Sequence, residues 1–197
     1  MMNGYSVEGD ILVINRDLNE LDFFVRDFLE VFKKHSDYLI VSGFVSISTG
    51  RARGTEDIDM LFPLMEEEAF MELFNNLLDE GFWCYQSDTA QGAYEYIRAL
   101  SSIRFIKKGM QNPNMECIPI TPERKAKYFE FNNPQKIRIG DFEFKIPPIE
   151  FEILYKELVL GSKKDLEDAM HLRVLFVDFI KGERFKEYET VIRGELK

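Results

Sequence analysis

The stretch Ile40–Phe62, "IVSGFVSISTGRARGTEDIDMLF", decides the fold. An apolar run enters Ser42-Gly43, a second apolar segment closes at Gly50, a turn carries two arginines, and Asp57-Ile58-Asp59 follows. Side chains alternate across a strand, so Asp57 and Asp59 share one face while Ile58 and Met60 turn toward a core. Two carboxylates on one face repel, and either water or a cation must offset that. A pair so spaced can hold two divalent cations, which sit about 3.5–4 Å apart in sites that clamp the attacking and leaving oxygens of an in-line phosphoryl displacement. All-oxygen donors are what Mg²⁺ (or Mn²⁺) takes. The plain alternative is an exposed strand end whose acids are simply solvated. The upstream residues favour the cation: Ser42-Gly43 joins a strand to a short helix, and small residues there let backbone N–H groups approach phosphate oxygens. A phosphate-accepting turn and a cation-accepting strand suit one ligand, a nucleoside triphosphate (NTP) with its Mg²⁺.

Outward from this stretch, Leu18, Leu21, Val25, Phe28 and Phe32 recur at helical spacing and predict one amphipathic helix from Leu18 to Lys34, with Asp17 as its N-cap. "ILVIN", "YLIVS", "DIDMLF", "FWCYQ", "SIRFIKK" and "MECIPI" read as strands, and "KIRIGDFEFKI" as a hairpin turning at Gly140-Asp141. "MEEEAFMELFNNLLDEG", "TAQGAYEYIRAL" and "PERKAKYFE" read as helices. From Pro147 onward the pattern is helical only: "PPIEFEILYKELVLG", then "KKDLEDAMHLRVLFVDFIKG" with apolar Leu166, Met170, Val174 and Phe176/Val177, then "ERFKEYETVIRGELK". The expected fold class is α/β (α+β), a mixed sheet flanked by helices. Residues 1–146 form the α/β core and 147–197 a C-terminal helical region packed on it.

Composition narrows the function. The chain of 197 residues, 45% apolar with 18 phenylalanines, can bury a sizeable core. Its formal charge of −10 makes it a poor general binder of duplex DNA, where phosphate neutralisation supplies most non-specific affinity. No run approaches the roughly 20 apolar residues that cross a bilayer. "MMNGYSVEGD" lacks the basic flank and apolar core of a secretory signal, so a cytoplasmic protein is expected. Cys84 and Cys117 form no CxxC pair, and with only His35 and His171 a histidine-rich zinc site is not expected.

The ordered pair Val41-Ser42-Gly43 and Asp57-Ile58-Asp59 resembles the nucleotidyltransferase superfamily, the DNA polymerase β-like fold, whose signature is a hydrophobic residue, Gly, then Gly or Ser, followed by an acid-hydrophobic-acid strand. Gly50, Arg53, Thr55 and Asp57-Ile58-Asp59 are similar to the "G..R.T.DID" form of small prokaryotic members, including the toxin-type AbiEii group. Lys156 in "ILYKELVL" and Lys164, Asp165 and Asp168 in "KKDLEDAMHL" match a later helical pattern of that group. The resemblance implies that Asp57 and Asp59 bind two divalent cations and that a third acid on a neighbouring strand assists. Glu116 in "NMECIPI" is the candidate, with Glu143 the fallback and an ordinary strand-end glutamate the bland alternative. It further implies nucleotide contacts from Ser42, Gly43, Arg53, Lys156 and Lys164, whereas Asp165 and Asp168 read better as residues that hold their helix in place. Trp83 and Tyr85 suit strand packing more than base stacking.

Two features depart from the signature: Ser42 stands where its first glycine would be, and Phe44 follows Gly43 where a smaller residue leaves more room. The expected activity is Mg²⁺-dependent transfer of a nucleoside monophosphate from an NTP to a hydroxyl acceptor, whether small molecule, protein or tRNA. Two alternatives stay open: a nucleotide-binding or toxin–antitoxin-type regulatory module without turnover, and a structural α/β protein with solvated acids.

Overall fold

The computed structural model describes residues 4–195. The last two residues of the helix read at "ERFKEYETVIRGELK", and the first three of "MMNGYSVEGD", lie outside the described residues. The chain runs β1 (Tyr5–Glu8), β2 (Ile11–Ile14), α1 (Glu20–Phe32), β3 (Leu39–Val41), α2 (Gly43–Ser48), β4 (Asp57–Pro63), α3 (Glu67–Asp79), β5 (Phe82–Cys84) and α4 (Ala90–Arg98). It continues through β6 (Ile103–Lys107), β7 (Asn114–Ile120), α5 (Lys125–Asn132), β8 (Gln135–Ile139), β9 (Phe142–Ile146) and α6 (Ile149–Tyr155). One turn of π-helix, Lys156–Leu160, extends α6, and α7 (Lys163–Leu175) and α8 (Gly182–Glu195) follow. These elements fall into two compact units. The first comprises the described residues up to Leu18, then Leu39–Gly54 and those from Pro122 onward; the second comprises Asn19–Tyr38 and Thr55–Thr121.

In the first unit the strands lie in the order β1-β2-β8-β9. The β2–β8 pair is parallel, with Leu12 opposite Ile137 and Ile14 opposite Ile139, and these four side chains are buried. β8 and β9 form the expected hairpin, Ile139 pairing with Phe142 across Gly140-Asp141. Gly140 sits at φ 58°, the left-handed conformation such two-residue turns require. β1 was not legible in the sequence because only Tyr5 of its four residues is buried, so no apolar alternation marks it. Ala126, Phe151, Leu154, Tyr188 and Ile192 from α5, α6 and α8 form a second buried cluster. α7 buries Asp168, Ala169 and Leu172. Of the apolar residues that mark this helix in the sequence, Leu166, Met170 and Val174 lie on its exposed side; just past its end Phe176 is fully buried and Val177 exposed.

In the second unit the strand order is β4-β7-β6-β5, with β4–β7 parallel and the other pairs antiparallel. α1 begins at Glu20, and its N-cap is Asn19 in place of Asp17. The Asn19 side chain accepts from the N–H groups of Leu21 and Asp22, while the Asp22 carboxylate accepts from the Asn19 N–H at 2.9 Å. This reciprocal box satisfies donors that Asp17, two residues earlier, cannot reach. Much of the chain's phenylalanine lies in this unit. Phe28 packs at 5.2 Å from Phe82 and 5.7 Å from Phe105, and Phe32 at 5.6 Å from Phe62, centroid to centroid. Phe28 is fully buried against three aromatic neighbours, so Phe28→Ala is expected to lower stability by about 3–5 kcal/mol in urea denaturation.

Candidate active site

The acidic face belongs to the second unit. Strand alternation does what the sequence requires: Ile58 and Met60 are fully buried, and Asp57 and Asp59 share the opposite face of β4. The parallel register sets Asp57 opposite Asn114 and Asp59 opposite Glu116 on β7, and Glu116 in turn lies opposite Arg104 on β6. Asp59, Glu116 and Arg104 therefore form one row across three neighbouring strands, with Asp57 and Asn114 in the next row.

The hydrogen bonds define this face further. Thr55 donates its hydroxyl to the Asp57 carbonyl at 2.7 Å, fixing the start of β4. Asn114 donates its side-chain amide to the Asp57 carboxylate at 2.6 Å and to the Glu56 carbonyl at 3.1 Å. Glu116 accepts from the Ser102 hydroxyl on one oxygen and from the Arg104 guanidinium on the other, each at 2.6 Å. Arg104 Nε also lies 4.0 Å from Asp57 Oδ1. Ser102, Arg104 and Asn114 escaped the sequence reading, since none belongs to a motif. The available signal was a charge at Arg104 between buried Ile103 and Phe105, which marks a polar strand face. Glu143, the fallback acid, is exposed on β9 of the first unit. Among the described residues, no three His, Cys, Asp or Glu side chains stand together in an arrangement that could hold one metal ion. The donors on this face are oxygens throughout, the chemistry of a hard cation and not of zinc.

The turn residues belong to the first unit. Ser42 joins β3 to α2 at φ 64°, ψ −130°, a backbone region that glycine occupies far more readily than serine. Gly43 follows, and a Cβ there would come within 2.6 Å of Arg53 Nη2, so a side chain at 43 would displace that guanidinium. Arg53 is itself pinned, its Nη1 donating to Asp168 Oδ2 at 2.6 Å. Arg51 donates to the other Asp168 oxygen and, at 2.6 Å, to Glu167. Lys156, fully buried, approaches Asp168 at 3.1 Å and Glu152 at 3.2 Å. One buried carboxylate thus gathers three cations. The structure brings Arg53, Lys156 and the Gly43 turn into one connected set, while the Lys164 side chain is exposed. Asp165 caps α7 through a reciprocal box with Ser162.

Three further residues take structural places. His171 Nε2 lies 3.1 Å from the Thr49 hydroxyl. Burial pulls its pKa below 6.5 and the nearby Arg51 charge pulls the same way, against an opposing hydrogen bond to the Thr49 backbone. Trp83 and Tyr85 pack on one another with centroids 4.6 Å apart.

No model of a known protein family matches the sequence, and no curated protein sequence matches it. Several solved structures share its fold, among them the following three. A lincosamide antibiotic adenylyltransferase, LnuA, in its lincomycin-bound form is 16% identical, with 81% of this chain and 99% of that one covered, at a TM-score of 0.54. An antigenic nucleotidyltransferase-like protein from Paracoccidioides brasiliensis is also 16% identical, with coverage of 89% and 86% and a TM-score of 0.54. The antibiotic-resistance factor ANT(2'')-Ia is 13% identical, with coverage of 89% and 92% and a TM-score of 0.51. The protein has the nucleotidyltransferase fold, as the Ser42-Gly43 and Asp57-x-Asp59 pattern implied.

Two stability measurements check the local geometry. Ser42→Gly is expected to raise stability by about 1 kcal/mol in urea denaturation, because the strain relieved exceeds the extra entropy glycine brings to the unfolded chain. For His171, the unfolded chain binds more protons than the folded one between pH 6.5 and the lowered folded value, so stability is complete above that window and falls as pH drops through it. His171→Gln is expected to flatten this part of the profile of melting temperature against pH.

Proposed function

We propose that the protein is a nucleotidyltransferase that moves a nucleoside monophosphate from an NTP to a hydroxyl acceptor with Mg²⁺ or Mn²⁺. The observation that carries this is the shared face of Asp57 and Asp59, with Glu116 directly opposite Asp59, on a chain of nucleotidyltransferase fold. Asp57 and Asp59 are the residues that would hold a divalent cation; Glu116 lies in the same row but is paired with Arg104 and does not complete a three-carboxylate set as the side chains stand. The cation supplies neutralisation of the triphosphate's charge, the largest electrostatic obstacle in such transfers. Asn114 fixes the Asp57 carboxylate by its 2.6 Å hydrogen bond, so this ligand is oriented before anything binds.

In the same proposal, Ser42 and Gly43 offer backbone N–H groups to phosphate oxygens. Arg53, held by Asp168, presents a fixed guanidinium, and Lys164 adds an exposed ammonium. Lys156 acts at one remove: fully buried between Asp168 and Glu152, it supports the carboxylate that holds Arg53. The acceptor is a small hydroxyl-bearing molecule in preference to long nucleic acid. The chain's charge of −10 disfavours polyanions, and one protein of similar fold is an adenylyltransferase of lincosamide antibiotics. A protein or tRNA acceptor remains the second choice. One observation favours the alternative of nucleotide binding without turnover: Glu116 is engaged by Arg104 and Ser102.

Incubation with labelled NTPs, Mg²⁺ or Mn²⁺, and a panel of hydroxyl acceptors tests the transfer. Wild-type protein is expected to label an acceptor, and Asp57→Asn or Asp59→Asn to reduce the rate by about a hundredfold to a thousandfold while the melting temperature holds. NTP binding without any labelled product in the wild type selects the non-catalytic module. Neither binding nor transfer refutes both.

A further inference from the structure

Glu116 and Arg104 face each other across β7 and β6, and their charges meet at 2.6 Å. This pair differs from the other ion pairs of the second unit in what surrounds it. Lys33–Glu30, Arg98–Glu95 and Lys107–Asp27 are surface pairs whose carboxylates do not belong to the acidic face. Arg104 instead stands beside two of the three acids nominated for cation binding, 2.6 Å from Glu116 and 4.0 Å from Asp57. The Glu116 side chain is only 16% exposed, whereas that of Arg104 is 38% exposed. The carboxylate is therefore the fixed member of the pair and the guanidinium the member with room to swing.

We propose that Arg104 is a resident counter-ion: it neutralises the acidic row and holds Glu116 out of the cation-binding set until an anionic triphosphate draws the guanidinium away. The inference rests on the reading of Asp57, Asp59 and Glu116 as cation ligands and adds a coupling that this reading does not contain. A guanidinium and a divalent cation cannot both sit close against one carboxylate without strong mutual repulsion. With Arg104 in place, the row carries less net negative charge and binds a second cation more weakly. A triphosphate offers the guanidinium a bidentate partner of higher charge than Glu116. Once Arg104 turns to phosphate, Glu116 gains a free oxygen. Ser102 keeps the other oxygen bonded, so the carboxylate does not swing with its departing partner. Cation and triphosphate then strengthen each other's binding, and linkage makes the effect equal in both directions.

Mn²⁺ binding to the full chain, followed by the loss of the free-ion electron paramagnetic resonance signal, measures this without reference to turnover. Without nucleotide, Arg104→Met is expected to bind Mn²⁺ on the order of tenfold more tightly than wild type. Arg104→Lys, which keeps a cation on the strand, is expected to stay nearer wild type and guards against a folding defect in the methionine variant. With a non-hydrolysable NTP analogue present, wild-type affinity for Mn²⁺ is expected to rise severalfold, and that gain to shrink in Arg104→Met. Equal or weaker Mn²⁺ binding in a folded Arg104→Met overturns the proposal. If Asp57→Asn and Asp59→Asn abolish Mn²⁺ binding while Arg104→Met leaves it unchanged, the cation site stands and only the counter-ion role falls. If no variant and no wild-type sample binds Mn²⁺, both fall.

Discussion

The parallel pairing of β4 with β7 is the constraint on which the acidic face depends. Strand alternation alone sets Asp57 and Asp59 on one side, but says nothing about what lies beside them. The register that opposes Asp59 to Glu116 and Asp57 to Asn114 converts a two-residue motif into a four-residue patch. A slip of one residue would put Met115 or Cys117, both buried, opposite Asp59 and turn Glu116 toward the core. The register is held by apolar residues on the other face, Ile58, Met60, Met115 and Cys117, all essentially inaccessible to solvent. The core therefore sets the geometry of the polar face through the backbone they share.

A different device organises the first unit. Asp168 is fully buried, and a buried carboxylate without partners would be strongly destabilising. Arg51, Arg53 and Lys156 meet it from two segments, and Glu152 and Glu167 share the excess positive charge. This arrangement fixes the guanidinium of Arg53 beside Gly43, where a side chain on residue 43 would intrude. It also explains the glycine there in packing terms. The strained residue of this turn is its neighbour Ser42, in a conformation glycine would adopt without cost, and such strain persists where the surrounding structure enforces it.

Much of the architecture was legible because it follows short-range rules. The hairpin at Gly140-Asp141, the helix over Glu67–Asp79 and the strand Asp57–Pro63 each carry their own turn residues or apolar periodicity. β1 failed that test because three of its four side chains are exposed. α7 misleads in a different way: its apolar periodicity is real, yet Leu166, Met170 and Val174 face outward, while the packed side carries Asp168. Periodicity identifies a helix but not which of its faces is covered, and a buried acid is invisible to a pattern of apolar residues.

The sequence by itself determined the alternation that separates Asp57 and Asp59 from Ile58 and Met60, the turn at Ser42-Gly43, and the acid on a later strand at Glu116. These rest on backbone geometry within a few residues. Only the tertiary structure decided that Arg104 and Ser102 engage Glu116, that Asn114 orients Asp57, and that Lys156 and Arg53 converge on Asp168. Each of those partners comes from a distant part of the chain or another strand, and strand register and helix packing, which no local spacing encodes, choose between them.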